Sequence, residues 1–275
     1  MYGVIVVILI LLFILLALIV VLFFAIILDT FEHYYCKIFH RPVYVHFYWK
    51  TQTIPIAQQQ FLAENFSFYR NLEQKKKTYF NHRMAAFVAH YSFITKEELV
   101  LTEEMKVMIA ATAITLTFGM RHYLIDVFDK IILYPEAYYS TVNENWHKGE
   151  FNPRMKAIVF SWKDFLEGFQ QNNDNLNLGF HEFTHAVHFH GLKRNDVSAL
   201  LFAQRYKEIM QFIAHPIITE KLIQSNYFRI YGYSNSFEFI AVLLEHFFET
   251  PEQFKAEFPT LFEKVRKMIN FSKRL

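Results

Sequence analysis

His181-Glu182-Phe183-Thr184-His185-Ala186-Val187-His188-Phe189-His190-Gly191 is the stretch on which the reading of this chain turns. It contains H-E-x-x-H within a segment of helical spacing. At about 100° per residue, positions 181 and 185 fall one turn apart on one face, so two imidazoles can converge on a single ion while Glu182 reaches a water beside it. Zinc takes neutral imidazole nitrogens in a tetrahedral site, and a hydrolytic site keeps one position open for water. Three protein ligands are therefore needed, of which His181 and His185 are two. With thirteen histidines in 275 residues, such a motif also arises by composition, and histidines on a buried helix can be ordinary core residues. Delimited ends favour the metal reading: Asn172, Asn173 and Asp174 offer N-caps, and Gly191 with Lys193 and Arg194 offers a stop.

The third ligand discriminates among zinc hydrolases. A metzincin requires Gly at 188 and His at 191, whereas this chain has His188 and Gly191, so that class is excluded. The search moves to a Glu on a later helix. Residues 236–250 supply one, closed by Pro251, with Phe237, Ile240, Ala241, Leu244 and Phe248 on an apolar face. Glu238 lies in its first turn and Glu245 seven residues on, so both point nearly the same way. With Asn235 as N-cap, Glu238 also occupies the N3 position of a capping-box start, and Glu245 beside His246 can equally be a solvated acid. Spacing leaves the two open. His188 shares the face of His181 and His185, but a fourth protein ligand would close the site, so a supporting or rim contact is expected of it. His190 is rotated off that face and is read as structural.

Composition bounds the rest. With 28 basic and 26 acidic side chains and no long basic run, nucleic acid is excluded as a direct ligand. The single cysteine, Cys36, excludes an internal disulfide and a zinc-thiolate cluster, and fits a reducing compartment. Residues 4–28 are apolar and uncharged, about 25 residues at 1.5 Å each, more than a hydrocarbon core of about 30 Å requires. The run is too long for a signal-peptide core and lacks a basic residue before it and a small-residue cleavage site after it. It is expected to be a single membrane span. Lys37, Arg41 and Lys50 follow it, so the positive-inside bias places the C-terminal domain in the cytoplasm.

Residues 1–30 are thus expected to form the anchor, 31–60 a juxtamembrane linker with a polar stretch at 52–60, and 61–275 one domain. Helical spacing runs over 61–90, with Lys75-Lys76-Lys77 a solvated face, and over 103–118, where Thr102 is the candidate N-cap. Residues 130–134 and 157–162 read as strands, with 140–154 between them loop-like. The expected fold class is α+β: a predominantly helical zincin-like metallopeptidase domain with a small β-sheet, preceded by one transmembrane helix.

Five blocks of this sequence, in order over roughly residues 60 to 265, resemble the Mlc titration factor A family of zinc peptidases. They are Glu104-Met105-Lys106-Val107-Met108-Ile109-Ala110-Ala111, Ile132-Leu133-Tyr134-Pro135-Glu136-Ala137, Ile158-Val159-Phe160-Ser161-Trp162, the His181 to His185 motif, and the helix from Glu238 to Phe248. Only the metal motif is specific by itself; the ordered combination carries the likeness. The resemblance implies a gluzincin-like fold, His181, His185 and Glu238 as zinc ligands, Glu182 as general base, and Tyr231 as the tyrosine seven residues before the third ligand. Tyr231 would donate a hydrogen bond to the developing oxyanion. Without the resemblance, Tyr233 is an equal candidate and a core aromatic the plain reading for both. Glu245 would orient a ligand histidine through its ring N–H, or lie on the surface. The family's members cleave peptides and bind a transcriptional repressor of sugar-uptake genes. This chain departs in having His188 where the family has Asp, and in its membrane span, which has no counterpart in the soluble prototype. The expected function is a membrane-anchored zinc metallopeptidase with a peptide or protein substrate. The alternative is a non-catalytic zinc-stabilised module that holds a regulatory protein, such as a repressor, at the membrane.

Overall fold

The computed structural model describes residues 2–140, 144–171 and 173–271, and the chain divides into two compact units, residues 1–43 and 44–275. The first is a single helix, α1, Tyr2–Phe39. Every residue from 4 to 28 is exposed, so α1 is not the core helix of a soluble protein; it is long and apolar enough to cross a membrane. Charge ends the apolar run at Asp29 without ending the helix: Thr30 donates its hydroxyl to the Ile26 carbonyl and the helix continues to Phe39.

The second unit opens with α2 (Ile56–Asn65), α3 (Ser67–Asn71), α4 (Gln74–His90), β1 (Ser92–Thr95) and α5 (Glu103–Thr117). Strands β2 (Lys130–Tyr134), β3 (Tyr138–Ser140), β4 (Asn145–His147), β5 (Gly149–Asn152) and β6 (Ala157–Ser161) follow. Helices α6 (Trp162–Gln170), α7 (Leu178–Lys193), α8 (Val197–Ile213) and α9 (Pro216–Ser225) come next. A 3-10 turn at Ile230–Ser234 leads into α10 (Ser236–Glu249), α11 (Pro251–Glu257) and α12 (Pro259–Met268). The main sheet has the order β1-β2-β6-β5, parallel except for β5, which runs antiparallel to β6 at the edge; β3 and β4 form a separate antiparallel pair. The fold is therefore a helix-dominated α+β unit with a small mixed sheet. Helix α7 packs on α5, α8 and α10 and against β5 and β6, which places the histidine motif at the centre.

Periodicity locates the long elements. Helix α5 spans the expected residues, and Thr102 accepts the Met105 N–H as its N-cap. Four expectations are corrected. The polar stretch 52–60 is not all linker, because α2 starts at Ile56 behind Pro55 and buries Leu62, and the compact unit already begins at residue 44. Residues 140–154 hold β4 and β5, strands too short to show a period of two. Asn177, not Asn173 or Asp174, caps α7, and Asn172 lies outside the described residues. Gly191 sits within α7 rather than past its end; a Cβ there would lie 2.8 Å from the Phe202 ring, so its smallness lets α8 approach.

Arg83 on α4 is fully buried, and its guanidinium serves five acceptors: the Tyr48 hydroxyl at 2.6 Å and the carbonyls of Val45, Thr117, Phe118 and Met120 at 2.9–3.2 Å. The five N–H groups of an arginine match this set in number. The hub fastens the start of the unit to the end of α5. Arg83→Met is expected to lower stability by at least about 3 kcal/mol, since several buried carbonyls lose their donor at roughly 1–3 kcal/mol each. Chemical denaturation of wild type and variant measures it, and a loss below about 1 kcal/mol would mean that water replaces the guanidinium.

Candidate metal centre

The site is built where α7 lies against α10. Asn177 starts α7: its Oδ1 accepts the Phe180 N–H at 3.0 Å, while its amide group donates to the Gly168 carbonyl at 2.8 Å and to Glu249 at 3.0 Å. The beginning of α7 is thereby tied to the end of α10. At the other end of α10, Asn235 Oδ1 accepts the N–H groups of Phe237 and Glu238 at 2.9 and 3.0 Å. Glu238 does occupy N3, but its carboxylate is directed to the histidines. Its Oε2 lies 3.0 Å from His181 Nε2 and 3.5 Å from His185 Nε2.

One donor atom from each of His181, His185 and Glu238 lies within 4.8 Å of the others. Donors on a tetrahedral ion with bonds of about 2.0–2.2 Å stand roughly 3.3–3.6 Å apart, so little movement separates this arrangement from a coordination shell. Glu238 Oε2 is sealed from solvent and has no aligned hydrogen-bond donor, although two imidazole nitrogens face it. A cation fits that space. Electrostatics agree: burial opposes a charge on His181, yet the carboxylates of Glu238 and Glu245 outweigh it and push the imidazole up to about 10. Burial likewise opposes the charge on Glu238, but His181 and His185 hold it well below the usual carboxylate range. The acids draw positive charge to this point, which a metal ion supplies in place of a proton.

Glu182 is buried, and its Oε2 accepts the Phe151 N–H of β5 at 2.8 Å. Burial raises its pKa, with His181 and His185 pulling the other way. The strand comes so near that a Cβ at Gly149 would sit 3.0 Å from Cγ and Oε1 of Glu182, so a side chain there would press on the Glu182 carboxylate.

Glu245 is not a surface acid: only 1% exposed, it meets His181 Nδ1 at 2.5 Å through Oε1 and pairs with Arg229 through Oε2. With Nδ1 engaged by Glu245, Nε2 is the ring nitrogen turned toward Glu238 and His185, where it can serve an ion. Arg229 has no signal in the sequence, because residues 226–235 carry no period. Glu245→Gln is expected to weaken metal binding by about 10 to 100-fold, the scale of losing a carboxylate behind a ligand histidine. Competition with a coloured chelator reads it, and unchanged affinity would leave Glu245 only a packing role.

The two tyrosines separate. The Tyr231 ring lies 6.3 Å from that of His181, and burial together with the charge of Glu238 pushes its hydroxyl up to about 12. Tyr233 faces away, donating to the Leu222 carbonyl at 3.1 Å and packing on Phe239. His188 is 1% exposed and stacks on Phe237 at 4.5 Å, and the same Phe237 ring stacks on His185 at 4.6 Å. It supports His185 through an aromatic ring and is not among the converging donors. His190 pairs with Asp196 at 2.7 Å, away from the centre, and Asp196 caps α8.

Two histidines on one helix, a carboxylate from a second and an acid beside them, on a mainly helical α+β unit, form a metallopeptidase-like site. The chain belongs to the Glucose-regulated metallo-peptidase M90 family (Peptidase_M90), whose profile matches residues 44–269. That family implies a metal ion, and the match begins just after α1. The chain is also similar to slr2042, an uncharacterized protein of Synechocystis sp. (strain ATCC 27184 / PCC 6803 / Kazusa), being 24% identical over 236 residues, 78% of this chain and 83% of the relative.

Proposed function

We propose that this chain is a membrane-anchored, zinc-dependent metallopeptidase that hydrolyses peptide bonds. The observation that carries the reading is Glu182, an acid buried beside the point where His181, His185 and Glu238 converge. A purely structural zinc site has no need of it. His181, His185 and Glu238 would hold the ion, which when bound would supply Lewis acidity and an activated water at neutral pH. Glu182 takes a proton from the attacking water and passes it to the leaving amine; burial strengthens it as a base, and the Phe151 N–H fixes its orientation. Tyr231 retains its proton across the neutral range and donates a hydrogen bond to the oxyanion as it forms.

Helix α1 would be retained as the anchor, with Lys37, Arg41 and Lys50 keeping the domain in the cytoplasm. Protease accessibility of the domain in sealed vesicles tests the side, and cleavage from the extracytoplasmic face alone would reverse it. The substrate is a peptide or protein; a regulatory protein partner is the added expectation that the family resemblance brings. The function is tested by turnover of a peptide library on the full chain in bilayer discs, with zinc measured in the same samples. Tyr231→Phe is expected to lower kcat by about 10²-fold, the scale of one oxyanion donor, with zinc retained. A zinc-loaded wild type that cleaves neither the library nor membrane-extract proteins would turn the reading toward a zinc-stabilised module that binds a regulatory protein.

A further inference from the structure

Residues 44–49, at the start of the second unit, are fixed on one side and bare on the other. Their inward groups are held: the Val45 carbonyl and the Tyr48 hydroxyl accept from Arg83, and the His46 ring stacks on Tyr79 at 4.8 Å and meets Phe118 at 4.7 Å. The side chains between them turn outward. Tyr44 is 41% exposed, Phe47 66% and Trp49 96%, and the rings of Tyr44 and Phe47 meet edge-on at 5.8 Å. Such exposure is not general: among the described residues of the second unit, Phe47 is the one exposed phenylalanine. A backbone held by a buried arginine therefore presents three aromatic side chains to solvent, and apolar surface displayed in this way marks a contact.

Charge and position in the chain say with what. From residue 33 to residue 63 there is no acidic side chain, while Lys37, Arg41 and Lys50 are basic, and the Arg121 guanidinium lies over the Tyr44 ring at 4.2 Å. Tyrosine and tryptophan beside lysine and arginine suit the headgroup layer of a bilayer, where the rings sit among the lipids and the cations meet anionic headgroups. The tether is short. Beyond the apolar run that ends at Leu28, the helical residues 29–39 rise about 16 Å and residues 40–44 reach at most about 18 Å, which keeps the cluster within about 35 Å of the hydrocarbon edge. At such a length the local concentration is about millimolar, so even a weak surface contact holds. A second copy is the competing cover, but a two-fold interface would bring Arg41, Lys50 and Arg121 against themselves.

We infer that Tyr44, Phe47 and Trp49 form a lipid-contacting surface that seats the domain on the headgroup layer of a bilayer containing anionic lipid. The inference rests on α1 as the anchor and does not depend on zinc or on peptide hydrolysis.

The test uses the full chain in vesicles of phosphatidylglycerol and a phosphatidylcholine brominated near the headgroup end of one acyl chain, since bromine quenches tryptophan only at contact. Trp49 is one of three tryptophans, so wild-type emission is expected to fall by roughly a third relative to unbrominated vesicles. Trp49→Phe should remove that loss, whereas Trp146→Phe, at another exposed tryptophan on β4, should keep it. Tyr44→Ser with Phe47→Ser should cut the loss at least about two-fold, because two of the three rings that meet the lipid are gone. Flotation of the same vesicles after an alkaline wash reads the anchor separately. Chains that do not float refute the anchor and this proposal with it; chains that float with Trp49 unquenched refute the proposal alone. A loss that survives Trp49→Phe, or one untouched by removing Tyr44 and Phe47, overturns it too. Blue-shifted Trp49 emission without quenching would mark a second copy as the cover and equally overturn it.

Discussion

Glu182→Gln is expected to lower peptide hydrolysis by about 10² to 10⁴-fold while bound zinc stays near one equivalent. The substitution keeps the size of the side chain and leaves His181, His185 and Glu238 untouched. The new carboxamide oxygen still accepts the Phe151 N–H, so the fold around β5 loses little. What disappears is the ability to take a proton from water and return it to the amine. Measuring kcat and metal content in the same preparation separates this from loss of the site. A variant that hydrolyses peptides at the wild-type rate would remove Glu182 from the chemistry and leave the mechanism without a base.

The second large effect is on metal content. His181→Ala combined with His185→Ala leaves Glu238 as the one remaining donor of the three, and zinc is expected to fall from about one per chain to background in elemental analysis. Two further readouts distinguish lost ligation from a damaged fold. Wild-type thermal stability should drop when a chelator is added, because an ion that binds only the folded chain stabilises it; the double variant should show no such response. Glu238→Gln should sit between, since Asn235 continues to cap α10 while the charge facing the imidazoles is gone. Unchanged zinc in the double variant would refute the assignment of the site.

Much of this was legible in sequence, and what was not has identifiable physical reasons. The histidine motif and the helical spacing of α5, α7 and α10 are local properties, set by 3.6-residue periodicity and caps such as Thr102 and Asn235. Strands β2 and β6 showed as apolar runs because they are the interior strands of the sheet. Strands β1, β3, β4 and β5 have three or four residues each, too few for alternation to stand out. At the centre, Glu238 and Glu245 share a face, and spacing could not separate them. Their difference lies in depth: one faces both imidazoles from the first turn, the other meets the far nitrogen of His181. That depends on how α10 is set against α7, which is a tertiary property. Arg229 and the Phe151 N–H escaped for the same cause, since each reaches the site across a gap in sequence that no period spans.

The Arg83 hub has a consequence in time. A chain emerging from the ribosome presents Val45 and Tyr48 before Arg83, but Thr117, Phe118 and Met120 only after it, so an arginine newly made finds two of its five acceptors. The guanidinium cannot be buried at that stage without stranding its remaining N–H groups. Helices α2 to α4 are therefore expected to stay incompletely packed until the last turn of α5 and Met120 have been synthesised. Nascent chains arrested before Thr117 should stay open to protease where chains arrested well past Met120 are protected, and protection of the shorter ones would show that the early helices close without it.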